Sequence, residues 1–135
     1  MPMSGKGAIL LADDEFSILQ TLRMVLEREG YEVIPAQSGA EALALLVQRK
    51  FDVIILDLSM ERDDSGFEVA RSALKLKPKP AIMTYTGYAN LSNSRTALKL
   101  GVDYFAIKPI ENEVFISALN KLVAKVRARR KAEPP

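Results

Sequence analysis

The chain alternates two kinds of hydrophobic pattern. Short runs of consecutive apolar residues are separated by longer segments in which apolar residues recur every three or four positions. A consecutive run is typical of a strand that is buried on both faces, as in a parallel sheet covered by helices. The runs predict five strands, at residues 8–12, 31–36, 53–56, 81–86 and 104–107.

The intervening segments have the period of amphipathic helices. Ser38 followed three residues later by Glu41 is a capping-box signature for the start of the second helix, and Gly30 suits the end of the first. The five predicted helices cover residues 17–29, 38–50, 67–77, 91–100 and the segment from Glu111 onward.

Strict alternation of strands and helices predicts one α/β domain of the doubly wound (βα)5 type, with a five-stranded parallel sheet. The length of 135 residues suits a single domain. In sheets of this kind, ligands bind beyond the carboxyl ends of the strands. The residues that follow each strand are therefore the first candidates for function.

Polar residues of distinct chemistry follow four of the strands. Asp13 and Asp14 come after the first strand, Asp57 directly after the third, Thr86 at the end of the fourth and Lys108 after the fifth. Parallel strands end at the same edge of a sheet, so we expect these side chains to lie close together.

Three carboxylates at one edge repel each other unless a cation lies among them or some remain protonated. Oxygen ligands of this kind suit Mg²⁺. Each residue alone also has a structural interpretation: the pair Asp13 and Asp14 suits a helix start, and Lys108 a turn. Asp57 is the hardest to explain structurally, because acids are depleted in strands. The joint placement favours a functional interpretation.

The composition narrows the chemistry. The chain has no cysteine and no histidine. Disulfides, thiol nucleophiles, imidazole metal ligands and histidine general bases are therefore excluded. Any chemistry here depends on carboxylates, hydroxyls, lysine, the backbone or a bound ion.

The net charge of +2 is unevenly distributed. Residues 121–135 contain six bases and one acid, a net +5, so that residues 1–120 carry −3. A basic terminus can contact nucleic acid or acidic partners. We interpret this one as a solvated helix end that runs into a linker, and direct DNA binding by this chain is not expected.

Four motifs, in order, carry a resemblance to a known family. They are "LLADDE" with the acidic pair, "VIILDLSM" with Asp57, "AIMTYTG" with Thr86, and "YFAIKP" with Lys108. Over residues 8–126 the chain resembles the receiver domains of two-component response regulators. The resemblance implies a flavodoxin-like fold with strand order 2-1-3-4-5 and a signalling domain rather than an enzyme.

The resemblance also implies roles for the residues at the strand ends. Asp57 is expected to be the phosphoacceptor, and Lys108 to pair with the phosphoryl oxygens. The peptide bond between Lys108 and Pro109 is expected to be cis, which directs the lysine side chain inward. Mg²⁺ is expected on Asp14, Asp57 and the backbone carbonyl of Ser59, with Asp13 acting mainly through water.

Further positions are implied to transmit and time the signal. Thr86 is expected to donate a hydrogen bond to the phosphoryl group, and Phe105 to be the aromatic residue that repacks in response. The packing of the face formed by the fourth helix, fifth strand and fifth helix is then expected to change, and a partner binds that face. Ser59 and Tyr88 occupy positions that tune how water reaches the phosphoryl group.

The chain departs from the family pattern after Asp57. Glu61 replaces a usual proline, and Gly66 lies one residue later than expected, which leaves the shape of that loop open. The predicted domain boundaries are an N-terminal extension over 1–7, the receiver domain over 8–126, and a basic tail or linker start over 127–135.

The expected partners are a sensor histidine kinase or phosphotransfer protein and, downstream, a protein partner or an effector domain missing from this chain. A homodimer is a further option. The chain has no signal-peptide pattern and no apolar run that could span a membrane, so a cytoplasmic location is expected.

Three alternatives were weighed. A dinucleotide-binding domain needs a glycine-rich turn after the first strand, which "LADDEFS" lacks. A Mg²⁺-dependent aspartate-nucleophile phosphatase resembles D-x-D-x-T, and the sequence after Asp57 lacks the second acid. A pseudo-receiver that binds partners without phosphorylation is disfavoured because every position of the site is filled.

Overall fold

The computed structural model describes residues 6–58, 60, 65–87 and 91–133. Strands and helices alternate strictly along the chain. The strands are β1 (Gly7–Ala12), β2 (Tyr31–Ala36), β3 (Val53–Asp57), β4 (Ala81–Thr86) and β5 (Tyr104–Ile107). The helices are α1 (Phe16–Arg28), α2 (Gly39–Gln48), α3 (Ser65–Leu74), α4 (Leu91–Leu100) and α5 (Asn112–Ala132).

The strands form one parallel sheet in the order β2-β1-β3-β4-β5. The predicted fold class and strand order are confirmed. Strand order reverses between β1 and β3, the two strands that deliver the acidic residues, so the acids lie at the topological switch point. Across the part of the chain that is described, no helix is both long and apolar enough to cross a membrane.

Each face of the sheet supports its own hydrophobic core. Alternate residues of β1 show the division: Ile9 and Leu11 belong to the core that includes residues of α1 and α5, and Leu10 and Ala12 to the core that includes residues of α2 and α3. β3 is buried along its whole length, including Asp57 at its carboxyl end. The Asp57 carboxylate therefore lies directly beside the hydrophobic core.

The local signals for helix ends mostly hold. Ser38 caps α2, its hydroxyl oxygen accepting a hydrogen bond from the Glu41 backbone N–H at 3.1 Å. Glu41 reaches back to the backbone N–H of Gln37. Helix α3 ends three residues earlier than expected, since the N–H groups of Lys75 and Leu76 bond to carbonyls three residues back. That tighter turn precedes Pro78, which has no N–H to donate.

Helix α5 continues past residue 126, and its last turns contact the amino-terminal edge of the sheet, where the strands begin. Arg130 donates to Asp52 at 3.2 Å and to the carbonyl of Phe51 at 2.8 Å. Arg127 lies 3.7 Å from the other oxygen of Asp52. Two of the four bases in the predicted tail, Arg127 and Arg130, are therefore bound to the domain. The predicted boundary at 126 stays a prediction.

Asp52 connects this helix to the start of β1. Its carboxylate accepts the backbone N–H of Ala8 at 2.8 Å. The neighbouring Gly7 has φ of +143°, and a Cβ there would lie 2.8 Å from the Asp52 carboxylate. Glycine is needed at this position both for its backbone conformation and for the close approach.

We expect Asp52→Ala to lower the free energy of unfolding by about 2–3 kcal/mol, because it leaves the Ala8 N–H without its acceptor and the half-buried Arg130 without its carboxylate partner. Chemical denaturation with urea measures the change. The matched control is Glu32→Ala, which removes an exposed ion pair to Arg49 and should cost about 0.5 kcal/mol. Equal effects of the two variants would contradict this role for Asp52.

Candidate functional site

The carboxyl edge of the sheet, defined here by Asp13, Asp14, Asp57, Thr86 and Lys108, brings together what the sequence predicts. One carboxylate oxygen from each of the three aspartates lies within 4.8 Å of the others. Asp13 is completely buried and Asp57 is 3% exposed, whereas Asp14 faces solvent. The three acids form one compact group in which only Asp14 is exposed.

Lys108 lies between two of these acids. Its Nζ is 3.0 Å from Oδ2 of Asp13 and 3.1 Å from Oδ2 of Asp57. Its backbone N–H donates to the carbonyl of Thr86 at 2.8 Å, and its peptide bond to Pro109 is cis, as the resemblance implies. Burial alone would lower the pKa of Lys108, but the hydrogen bonds and charges of Asp13 and Asp57 outweigh it, and the pKa is raised.

The charge of Lys108 offsets only part of the negative charge. Loss of hydration raises the pKa of Asp14, and the neighbouring charges of Asp13 and Asp57 raise it further. Carboxylate oxygens grouped in this way fit the donor set of a hard divalent cation. The acidic group could therefore hold such an ion.

Both oxygens of Asp13 accept hydrogen bonds from the protein. Oδ1 accepts the backbone N–H of Glu15 at 2.9 Å. Oδ2 accepts the hydroxyl of Tyr85 at 2.5 Å in addition to Lys108. Burial raises the pKa of Tyr85, and the charge of Asp13 raises it further, so the hydroxyl stays protonated and donates.

Tyr85 is the residue of this site that the sequence analysis missed. It falls within the apolar run of β4 and is 2% exposed, so it reads as an ordinary core residue. The sequence feature that could have identified it was its position, one residue before Thr86 at the end of the strand. Near the end of a strand, a buried tyrosine needs a partner for its hydroxyl, and the acidic edge is the nearest polar region.

The two predicted switch residues lie on the other side of the sheet from Tyr85. Thr86 is completely buried. Phe105 is partly buried and packs against the small cluster of Leu58, Phe67 and Ala97. The cluster joins the residue after Asp57 to α3 and α4, so Phe105 lies where a change near Asp57 could reach α4.

Two predicted residues cannot be placed. Ser59, proposed as a metal ligand through its carbonyl and as a tuning position, lies outside the described residues. The same is true of Tyr88, the other tuning position.

Gly66 fixes how α3 approaches β3, the strand that ends at Asp57. A Cβ on this residue would lie 2.6 Å from Cα of Leu58 and 2.7 Å from the carbonyl oxygen of Asp57, both backbone atoms. No side chain fits at such distances unless the backbone shifts. The glycine therefore sets the position of the chain just after Asp57, although it lies one residue later than the family pattern predicts.

Comparison with known proteins agrees with this geometry. The family model described as "Response regulator receiver domain" matches residues 9–120. The chain belongs to this family.

Solved receiver domains share its fold. A CheY-like receiver domain protein from Methanospirillum hungatei JF-1 is 31% identical with a TM-score of 0.85, over 90% of this chain and 97% of that one. A response regulator from Burkholderia pseudomallei, solved with a phosphorylated aspartic acid, a calcium ion and citrate, is 34% identical with a TM-score of 0.77, over 95% of this chain and 75% of that one.

The protein is thus a phosphoacceptor receiver domain of two-component signalling, a signalling module rather than an enzyme. Among curated proteins, the transcriptional regulatory protein GlrR of Escherichia coli is 34% identical over 119 residues. The match covers 87% of this chain but 27% of GlrR. The family and its function were predicted correctly; the role of each site residue stays a prediction.

We expect Gly66→Ala to lower the free energy of unfolding by about 1–3 kcal/mol, because the new methyl group overlaps backbone atoms that cannot rotate away. Thermal and urea denaturation measure the loss. Gly87→Ala is the matched control, since a Cβ there would make an ordinary contact of 3.8 Å with Lys108. A Gly66→Ala protein as stable as the control would show that the approach of α3 is not restrictive.

Proposed function

We propose that Asp57 accepts a phosphoryl group from a phosphohistidine on a sensor histidine kinase or a phosphotransfer protein. The carboxylate forms a new P–O bond while the P–N bond of the donor breaks. The electron pair of that bond stays on the imidazole nitrogen, which takes a proton from solvent. The donor supplies the histidine that this chain lacks.

The contact between Lys108 and Asp57 carries the proposal. Asp57 is nearly buried, which strengthens electrostatic interactions around it. The Lys108 ammonium lies 3.1 Å from the acceptor carboxylate, in position to pair with oxygens of an incoming phosphoryl group. The phosphorylated aspartic acid in the Burkholderia pseudomallei relative is consistent with this chemistry.

Mg²⁺ is the proposed metal. Asp14, Asp57 and the backbone carbonyl of Ser59 would hold it, with Asp13 acting through water. Support comes from the three grouped carboxylates and from the calcium ion in the same relative. When bound, the ion supplies positive charge that neutralises the acceptor and the phosphoryl oxygens. The protein's own contribution is to exclude water from Asp57 and to orient Lys108.

The signal is proposed to pass through Thr86 and Phe105 to the face formed by α4, β5 and α5. Thr86 would bond to the phosphoryl group, and Phe105 would repack against its cluster, which includes Ala97 of α4. Three large hydrophobic residues on this face are well exposed, as expected for a surface that a partner covers: Leu98, Ile107 and Val114. Ser59 and Tyr88 are proposed to set the lifetime of the phosphoryl group.

The donor has room to approach beside Lys108. An apolar cleft of about 400 Å³ lies between α1 and the start of α5, with Ile18, Leu22 and Ile110 in its lining. Lys108, which contacts Asp57, is also part of the lining, so we propose that the donor binds at this cleft. We propose a cytoplasmic location, which is general for receiver domains.

The output is proposed to be protein contact, through a separate partner, a homodimer or an effector domain. Direct DNA binding is disfavoured because several bases near the end of α5 make contacts within the domain. Besides Arg127 and Arg130, Arg129 donates to the carbonyl of Lys79 at 2.6 Å. Bases engaged in this way are less available to phosphates.

Intact mass after incubation with Mg²⁺ and acetyl phosphate tests the proposed function. We expect the chain to gain one phosphoryl group, and Asp57→Asn to gain none, because an amide oxygen is a far weaker nucleophile than a carboxylate. Asp52→Asn is the matched control: it makes the same chemical change at the opposite edge of the sheet and should still be modified. A phosphoryl group on Asp57→Asn, or none on the unaltered chain, would overturn the assignment.

A further inference from the structure

Tyr85 is buried in an unusual setting for a tyrosine. Its ring packs edge-on against Phe115, with centroids 6.2 Å apart and planes at 63°. Its hydroxyl donates to Asp13, and the Nζ of Lys108 lies 4.5 Å from its ring centroid. The ring is thus held by the core on one side and contacts two groups of the phosphorylation site on the other.

The hydroxyl and the lysine share one acceptor atom. Oδ2 of Asp13 receives both the Tyr85 hydroxyl and Lys108, while Oδ1 receives a backbone N–H. Asp13 is completely buried, and a buried carboxylate that loses its donors is strongly destabilised. Its donors are therefore part of what stabilises this side chain inside the protein.

Phosphorylation changes this set of donors. In the proposed function Lys108 turns to the phosphoryl oxygens, and this weakens its contact with Asp13. The Tyr85 hydroxyl is carried by a rigid ring and cannot follow the lysine. It remains on Oδ2 when the lysine shifts.

We propose that Tyr85 is a positioning residue, whose hydroxyl keeps Asp13 satisfied so that Lys108 can transfer from Asp13 to the phosphoryl group. The inference rests on the proposed function and extends it by one residue. Without the hydroxyl, Lys108 is the remaining side-chain donor to Oδ2 of Asp13 among the described contacts. The ion pair between them then competes more strongly with the contact of Lys108 to the phosphoryl group. The cation–π contact of Lys108 with the ring does not depend on the hydroxyl, so Tyr85→Phe retains it.

The test uses fluoroberyllate, a non-covalent mimic of the phosphoryl group, with Mg²⁺ and the whole chain. Tyr85→Phe keeps the ring and removes only the hydroxyl. We expect its affinity for fluoroberyllate to fall by about ten-fold, the scale seen when a group supporting a metal site is removed. Isothermal titration calorimetry measures the affinity, and a thermal melt checks that the variant is folded.

The matched control is Tyr31→Phe. Tyr31 is also a buried tyrosine whose hydroxyl bonds to a side chain, that of Asn120, but it lies at the start of β2, away from the site. We expect this variant to bind fluoroberyllate as the unaltered chain does. Comparable losses in both variants would mean that the effect is one of general packing, and the inference would be overturned.

A second comparison asks whether the hydroxyl acts through Asp13. In an Asp13→Asn background we expect Tyr85→Phe to change affinity by less than about two-fold, because the neutral amide no longer holds Lys108. The same ten-fold loss in that background would overturn the inference.

Two outcomes separate this inference from the proposed function. Normal fluoroberyllate binding by Tyr85→Phe, with phosphorylation of the unaltered chain observed, would overturn the role of Tyr85 and leave Asp57 as acceptor. An unaltered chain that neither binds the mimic nor accepts a phosphoryl group would overturn both.

Discussion

Lys108 supplies one positive charge to two carboxylates that the fold has removed from water, and the geometry of the carboxyl edge depends on this sharing. Asp13 and Asp57 are almost completely buried, and each is about 3 Å from the same Nζ. One ammonium cannot neutralise two carboxylates, still less the nearby Asp14. The site therefore keeps excess negative charge, which favours binding of a divalent cation.

The surrounding sheet and helices hold these acidic residues in place. β3 is buried on both faces and brings Asp57 out of a hydrophobic layer. Gly66 allows α3 to contact the backbone at Asp57 and Leu58, and Tyr85 holds Asp13 from the α1 and α5 side of the sheet. Groups that are held this firmly reorganise little during the reaction, which is how a site of fixed dipoles and charges favours phosphoryl transfer.

At the opposite edge of the sheet, the ionic contacts stabilise the fold. Asp52 holds the start of β1 and the last turns of α5 through a backbone N–H and Arg130. The basic segment that the sequence set apart as a tail is thus partly a helix bound to the domain. Residues that serve stability and residues that serve chemistry lie at opposite ends of the same strands.

The alternation of strands and helices, the parallel sheet and the residues that meet at its carboxyl edge all follow from the amino-acid sequence. Burial periodicity is local, and a parallel arrangement brings all strand ends to one side whatever the detailed packing. Which side chains hydrogen-bond to the same atom is visible only in the folded protein. Tyr85 and Asp13 are 72 residues apart and Lys108 and Asp13 are 95 apart, so their contacts depend on strand register and side-chain direction. The same holds for the clearance at Gly66 and the binding of Arg130 to Asp52, since neither distance is encoded in any short stretch of the chain.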